Sequence, residues 1–329
     1  MHYTYEPSLH ADAEERRTLE LSLRNAISEG EMSLNFQPVV NAKSEGVVSF
    51  EALLRWNSKE HGFVSPAKFI PLAEDTRLII PIGKWVLHEA CRQATRWPED
   101  IKVAVNVSGE QLLEPNFPAT IVTALAETGL PAHRLEVEVT ESVFLGDTDA
   151  TEETFKTLKG LGIRLALDDF GTGYSSLGYL KTAPFDKIKI DQSFVRGATQ
   201  PGSRNGAIIA SITSLALALG MDTTAEGVET LDELDLVRMH GCSHIQGYIY
   251  DKPLTFADAT QKLREGPSAI ARGPKSARAA RQTMLRKIVL ENAGQYYNGT
   301  VRNISVTGAM VEGLWNVPVG SLFRLALSE

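Results

Sequence analysis

Two aspartates, Asp168 and Asp169, stand side by side where the run Ile163 to Leu167 gives way to a loop holding Gly171 and Gly173. The run is apolar apart from Arg164 and reads as a buried strand. The glycines permit a tight turn. Adjacent carboxylates at the end of a buried strand repel each other and lose hydration. A hard divalent cation such as Mg²⁺ or Mn²⁺ takes oxygen ligands and relieves both costs. A solvated loop with two acids at a strand end is the ordinary alternative, so the rest of the chain must decide.

Other apolar runs end the same way. Asn106 closes the run at 101–107, and Glu138 and Glu141 come late in Arg134 to Glu141. Lys189 and Asp191 close Phe185 to Ile190. Glu226 follows Asp222 to Ala225, with Glu229 one helical turn on, and Gln246 lies in His244 to Tyr250. Glu51 and Arg55 lie in Val47 to Trp56. Carboxylates with one amide suit one or two divalent ions, and two ions about 3.5–4 Å apart can support in-line phosphoryl displacement. A lysine can offset developing negative charge, and a glutamate outside the ligand set can take a proton from water. Each residue alone has a plainer reading. Glu51 can face outward, Arg55 can pair at the surface, Lys189 and Asp191 can be a same-face pair, and Glu226 and Glu229 can be acids at a helix start. Together they would have to collect at strand ends by chance. No Ser-His-Asp arrangement stands out, and the 7 histidines lack metal-ligand spacing.

The elements that would position these residues alternate. Residues 12–29 read as an amphipathic helix, and Met32 to Val40 and Val47 to Trp56 as a hairpin. Helices are expected at 66–79, 82–97, 117–128, 149–161, 204–219, 230–240 and 255–264. Strands are expected at 101–107, 134–141, 163–167, 185–190, 222–225 and 244–250. Such alternation over about 250 residues predicts a parallel α/β barrel, in which the C-terminal ends of all strands converge on one face. An open doubly wound sheet is the runner-up, but no G-x-G-x-x-G follows an early strand.

The 329 residues are 43% hydrophobic and 22% charged, which predicts a packed core for a barrel plus a small module. Cys91 and Cys242 are far apart, which speaks against a disulfide scaffold and a zinc-thiolate site and fits a reducing, cytoplasmic setting. The apolar stretch at 210–221 is too short to span a bilayer, and the N-terminus lacks the order of a signal peptide. Residues 264–329 hold nine Lys and Arg against four Glu, so this part carries +5 and the remainder −13 of the net −8. The acidic body argues against DNA binding, and the change of sign marks a separate module.

The motifs now resemble one family. Glu51-Ala52-Leu53 with Arg55, Asn106-Val107-Ser108, Glu138 to Glu141, Asp168-Asp169-Phe170-Gly171, Lys189-Ile190-Asp191, Glu226-Gly227-Val228-Glu229 and Gln246-Gly247-Tyr248 resemble the EAL-domain phosphodiesterases, in order, over about residues 16–262. The resemblance implies a modified TIM (β/α)8 barrel with an antiparallel first strand. It implies Mg²⁺- or Mn²⁺-dependent hydrolysis of cyclic di-GMP to pGpG with two ions, inhibition by Ca²⁺, and a homodimer formed through the barrel. Glu51, Asn106, Glu138, Asp168 and Asp169 then resemble metal ligands. Glu226 resembles the general base, Lys189 the residue steadying the water, and Glu141 the holder of the loop after Asp169. Arg55 and Gln246 resemble substrate contacts, with Asp191 and Glu229 supporting. Arg77 stands where the family often has glycine, so the local loop shape is open. A receptor that binds the nucleotide without turnover and a scaffold are the competing functions, and the intact Glu226 and Lys189 favour the enzyme.

The expected domains are the barrel at 1–264, a linker at 265–280 rich in Gly, Pro, Ala and Ser, and a β segment at 281–329. Asn303 to Gly308, with Arg286 and Lys287 before it, resembles the start of a PilZ domain, a β-barrel that binds cyclic di-GMP. The family's paired arginines have three residues between them; here Gln282 stands at that distance from Arg286 and Arg281 is one place off. With three or four strand-like runs, the segment is expected not to close into a nucleotide-binding barrel.

Overall fold

The apolar runs become one closed sheet because each is buried on both faces, between the barrel interior and a layer of helices. A computed structural model describes residues 7–145, 148–172, 180, 183–266, 268–274, 282–292, 294–305, 308–313 and 323–327. Its strands are β1 Met32–Asn41, β2 Val47–Ser58, β3 Gly62–Val64, β4 Lys102–Asn106, β5 Leu135–Thr140, β6 Arg164–Phe170, β7 Lys187–Ile190, β8 Asp222–Ala225 and β9 His244–Gln246. The order β1-β9-β8-β7-β6-β5-β4-β2 closes through the β1–β2 pairing, giving eight strands around the barrel, and β3 extends β2 outside it. β1 is antiparallel to both neighbours, while the other barrel pairs are parallel. The expected modified barrel with an antiparallel first strand is therefore the fold observed.

The helices are α1 Pro7–Asn25, α2 Pro66–Asp75, α3 Ile79–Ala94, α4 Gly109–Leu112, α5 Phe117–Thr128, α6 Thr148–Gly160, α7 Gln192–Val195, α8 Asn205–Ala218, α9 Leu231–Met239 and α10 Phe256–Glu265. The helix expected to run from 66 to 79 stops at Asp75, because Arg77 takes a left-handed φ of 60°. That backbone suits glycine and costs a β-carbon-bearing residue about 1–2 kcal/mol, so the departure noted at Arg77 falls on a turn that glycine would enter more easily. The strand expected over His244 to Tyr250 is only His244–Gln246. None of the described helices is long and apolar enough to cross a membrane.

Outside the sheet, Trp97 sits between Phe36, Phe50 and Phe256, with ring centroids 5.0, 4.9 and 5.7 Å away. These rings join β1 and β2 to α10, and truncating Trp97 to alanine would cost about 3–5 kcal/mol. Inside the sheet the filling is charged. Buried Lys187 pairs with buried Glu136, and Arg164 joins Glu136 at 3.3 Å and Asp222 at 3.0 Å. Strand register then sets the level above this pair, with Asn106 beside Glu138, Thr140 beside Asp168 and Gln37 beside Glu51.

The segment Ser268 to Pro274, in the expected linker, is hydrogen-bonded to the barrel. Ala269 N–H donates to the Glu45 carbonyl at 2.7 Å and Arg272 N–H to the Ile249 carbonyl at 2.6 Å. The C-terminal segment forms β10 Gln282–Asn292, β11 Gln295–Ser305, β12 Gly308–Glu312 and β13 Arg324–Leu327, an antiparallel sheet in the order β12-β11-β10-β13. Among the described residues this sheet is open, with β12 and β13 as its edges. Its small core is Ile288, Leu290 and Val301 with Tyr297, Val311 and Phe323 against it. Arg281 lies outside the described residues, as do Val306 and Thr307 of the Asn303–Gly308 element.

Candidate functional site

Lys189 on β7 is 1% exposed. A buried ammonium without partners costs several kcal/mol, and four carboxylates meet this one. It donates to Glu138 Oε2 at 2.7 Å and Asp168 Oδ2 at 3.0 Å. It pairs with Glu226 Oε1 at 2.7 Å and faces Glu51 Oε2 at 3.8 Å. The four acids arrive on β5, β6, the turn after β8, and β2. They are separated widely in sequence and gathered because Glu138, Asp168 and Glu226 stand at or near the C-terminal ends of parallel strands, and Glu51 stands near the end of the β2–β4 parallel pairing.

One ammonium does not balance four carboxylates. Burial would strip the proton from Lys189, but Asp168, Glu138, Glu226 and Glu51 hold its pKa well above the usual lysine value. Burial pushes Glu226 up, Lys189 pulls it back, and the Asp168 and Glu51 charges bring it to about 8. Glu138 is raised well above the carboxylate range by burial, only partly countered by Lys189 and reinforced by Glu51 and Asp168. Asp169 is raised to about 6 by burial and by the Asp168 and Asp191 charges. Glu51 goes the other way. Burial raises it, but Lys189, Gln246 and Asn106 together hold it below the usual value. The cluster thus retains protons that added positive charge would displace.

The arrangement fits a hard divalent cation. Asp168, Asp169 and Glu226 each offer an oxygen, and these oxygens lie within 4.8 Å of one another. Asn106 donates its amide to Glu51 Oε1 at 2.7 Å, which leaves its own carbonyl oxygen as a ligand atom. Gln246 donates to Glu51 Oε2, and its own buried Oε1 has no hydrogen-bond partner among the described residues. Oxygen donors of this type suit Mg²⁺ or Mn²⁺, not a thiolate-loving metal. Cys91 and Cys242 are buried apart as free thiols, each pushed up to about 12 by burial.

The turn at Asp169 and Gly171, at the end of β6, is fixed by hydrogen bonds. Asp169 has a left-handed φ of 52°, and its N–H donates to Asp168 Oδ1 at 2.9 Å. Glu141 Oε1 accepts from Gly171 N–H at 3.0 Å. The short helix α7 connects this turn to the next one. A β-carbon on Gly171 would meet the Phe194 ring at 2.9 Å, and one on Gly227 would meet Gln192 Cβ at 2.5 Å. Gly227 also has a φ of 63°, so the turn carrying Glu226 requires glycine both for backbone and for space.

Two sequence candidates stand outside the carboxylate cluster. Asp191 caps α7, accepting from Ser193 N–H at 2.9 Å, and reaches the cluster only through its charge on Asp169. Glu229 is partly exposed and pairs with Arg196 at 2.8 Å. Arg55 lines an adjoining cavity of about 770 Å³ with Asn106, Glu138 and Tyr248, and donates to the Leu54 carbonyl at 2.9 Å. A second cavity of about 200 Å³ is lined by Glu51, Asp168, Lys189, Glu226 and Gln246. Gln37 and Tyr248 line both cavities. Sequence reasoning did not single out Gln37, which shares the run Met32–Asn41 with two other amides, Asn35 and Asn41. Arg196 carried no signal, since its place depends on how the loops fold.

The comparisons fall where this geometry points. Residues 20–253 match the EAL domain family, and the chain belongs to it. It is 44% identical over 261 residues to the uncharacterized protein y4lL of Sinorhizobium fredii, covering 79% of this chain and 31% of that one. It is 38% identical over 254 residues to the bifunctional diguanylate cyclase/cyclic di-GMP phosphodiesterase MucR of Pseudomonas aeruginosa, covering 76% of this chain and 37% of that one. The structure of the MucR phosphodiesterase in its c-di-GMP complex superimposes with a TM-score of 0.71 at 37% identity, covering 74% of this chain and 99% of that one. The chain spans about a third of the length of the first curated relatives it matches.

Proposed function

We propose that this chain hydrolyses cyclic di-GMP to linear pGpG. The observation that carries the reading is the placement of Glu226 beside Lys189, Asp168 and Asp169, with oxygens close enough to share a cation. MucR, a relative named as a cyclic di-GMP phosphodiesterase and solved with the nucleotide, supports the substrate.

In this mechanism Glu51, Asn106, Glu138, Asp168 and Asp169 would hold the metal. Two Mg²⁺ or Mn²⁺ ions, when bound, would supply charge neutralisation at the phosphoryl oxygens and a more acidic water. Glu226 takes the proton of the attacking water at its carboxylate as the water oxygen bonds to phosphorus, the P–O3′ ester bond breaks, and the departing 3′ oxygen takes a proton from solvent. Lys189, held by four acids, fixes that carboxylate and steadies the water. Glu141 keeps the loop after Asp169 in place through Gly171. Arg55 and Gln246 contact the nucleotide, while Asp191 and Glu229 support the loops on which Asp169 and Glu226 stand. The substrate lies across the cavities that Tyr248 joins. The chain acts in the cytoplasm as a homodimer through the barrel, is inhibited by Ca²⁺, and does not bind DNA.

Incubating the purified chain with cyclic di-GMP and Mg²⁺ and separating the products by chromatography tests this reading. Accumulation of pGpG supports it. Tight nucleotide binding with no product would make the chain a receptor.

A further inference from the structure

Ser268 to Pro274 lies beyond the span that matches the family, and nothing above gives it a role. Main-chain hydrogen bonds tie it to the barrel at three points. Ala269 N–H reaches the Glu45 carbonyl in the turn between β1 and β2, and Arg272 N–H reaches the Ile249 carbonyl. Leu231 N–H donates to the Pro274 carbonyl at 3.1 Å. Leu231 is the first residue of α9, so the strap carbonyl satisfies one of the N–H groups that a helix start leaves without an intrahelical partner.

Two of these partners adjoin the loop with the candidate base: Leu231 follows it directly, and Ile249 is hydrogen-bonded to it. Val228 N–H donates to the Gln246 carbonyl at 3.2 Å, and Ile249 N–H donates to the Val228 carbonyl at 2.9 Å. The Glu233 carboxylate holds the far end of the loop, accepting from Glu229 N–H at 3.0 Å and Thr230 N–H at 3.1 Å. Against that loop the strap presents Gly273. A β-carbon there would stand 2.5 Å from the Glu229 carbonyl oxygen and would also collide with Ile249 Cδ1. A side-chain end can swing aside, but a backbone carbonyl moves only with its loop.

We propose that the strap 268–274, seated through Gly273 on the Glu229 carbonyl, positions the Glu226–Thr230 loop for hydrolysis, which makes Gly273 a positioning residue. This rests on the hydrolytic reading above. It gives residues outside the family span a share in holding the base at 2.7 Å from Lys189.

The test compares Gly273→Ala, Ile249→Val and the double variant in the full chain. Two readouts are used: hydrogen exchange of peptides covering 226–231, and kcat and KM for cyclic di-GMP. Gly273→Ala is expected to speed exchange across 226–231 and leave 102–106 and 135–140 unchanged. It is expected to lower kcat by about tenfold, since small displacements of a reacting group cost that much or more. KM should change by less than about twofold, because Arg55 and Asn106 stand on β2 and β4. Ile249→Val alone should match the wild type, and the double variant should keep the loss, because the Glu229 carbonyl still blocks the β-carbon. Should Gly273→Ala fail to fold, Arg272→Pro removes the N–H donated to Ile249 without adding bulk at 273, and the same loosening is expected. Unchanged exchange in these variants overturns the proposal. So does full restoration by Ile249→Val, which would mean that the strap only packs on that side chain. If the wild type hydrolyses nothing, the hydrolytic reading falls, while faster exchange across 226–231 still upholds the strap as the loop's anchor.

Discussion

Lys189 Nζ stands 2.7 Å from Glu226 Oε1, deep in a barrel whose other acids also face that ammonium. The pair limits how far burial raises Glu226, and the added charge of a cation would be needed to free its carboxylate for the proposed role of base. Burial and the neighbouring acids push Glu226 to about 8, and Lys189 is the charge that opposes them. Glu226→Gln keeps the size and the contact but cannot accept a proton. Nucleotide affinity is expected to stay within about threefold, and turnover to fall by about 10²–10⁴-fold, the usual worth of a positioned base. Single-turnover assays beside binding titrations check this, and normal turnover would assign the base elsewhere.

Lys189→Met should damage the fold as well as the reaction. It leaves four acids without their ammonium, and breaking a buried ion pair by removing one partner costs about 3–5 kcal/mol. The loss should shrink at lower pH, where the orphaned carboxylates take up protons and stop repelling one another. Urea denaturation of both proteins at pH 7 and pH 5 measures it. An equal loss at the two values would show that charge imbalance is not the cause.

Activity should require Mg²⁺ or Mn²⁺ and disappear in EDTA or with Ca²⁺. Oxygens of Asp168 and Asp169, within 4.8 Å of each other and of Glu226, favour a compact octahedral ion beside the base. Addition of Mg²⁺ to the metal-free chain should also raise its thermal midpoint, since the ion relieves the repulsion within the cluster. Undiminished turnover in EDTA would remove the metal from the mechanism.

Much of this was legible in the sequence because barrel strands are apolar runs whose polar residues fall at the ends. Asn106, Asp168, Lys189 and Glu226 announced themselves in that way. What the sequence did not disclose depends on long-range packing. That Lys189 would face four acids follows from barrel closure and register, not from any local spacing. No spacing discloses that Asp191 accepts from Ser193 N–H, or that Glu229 pairs with Arg196 in the lining of the cavity that Glu226 also lines. The strap Ser268 to Pro274 reads as linker because its attachments are main-chain bonds, which leave no side-chain signature. Gly273 reads as flexibility and is in fact a close contact.

Lower in the barrel, buried Glu136 sets a pH dependence of its own. Burial raises its pKa, but Lys187 and Arg164 outweigh burial and hold it below the usual glutamate value. A depressed folded-state value means that the group adds stability above its unfolded pKa. That stability is lost as pH falls through the folded value. The denaturation midpoint should therefore lose this contribution only below about pH 4.5. Glu136→Gln should be less stable than the wild type at pH 7, and the gap should narrow with acid. A gap that widens on acidification would refute this account of the pair.

The C-terminal sheet makes the last prediction. Its four strands leave β12 and β13 as edges among the described residues, and its buried core is Ile288, Leu290 and Val301. Open edges and so small a core do not supply the closed, rigid pocket that tight nucleotide binding needs. Among the described residues, the barrel core contains none of these three. A chain ending at Ala280 keeps the strap and is expected to unfold at the same midpoint as the full chain and to form pGpG at the same rate. Isothermal titration of the full chain should show one cyclic di-GMP site, untouched by Arg286→Ala. A second tight site that Arg286→Ala removes would make the sheet a nucleotide receptor. An unfolded shortened chain would make it part of the barrel's stability.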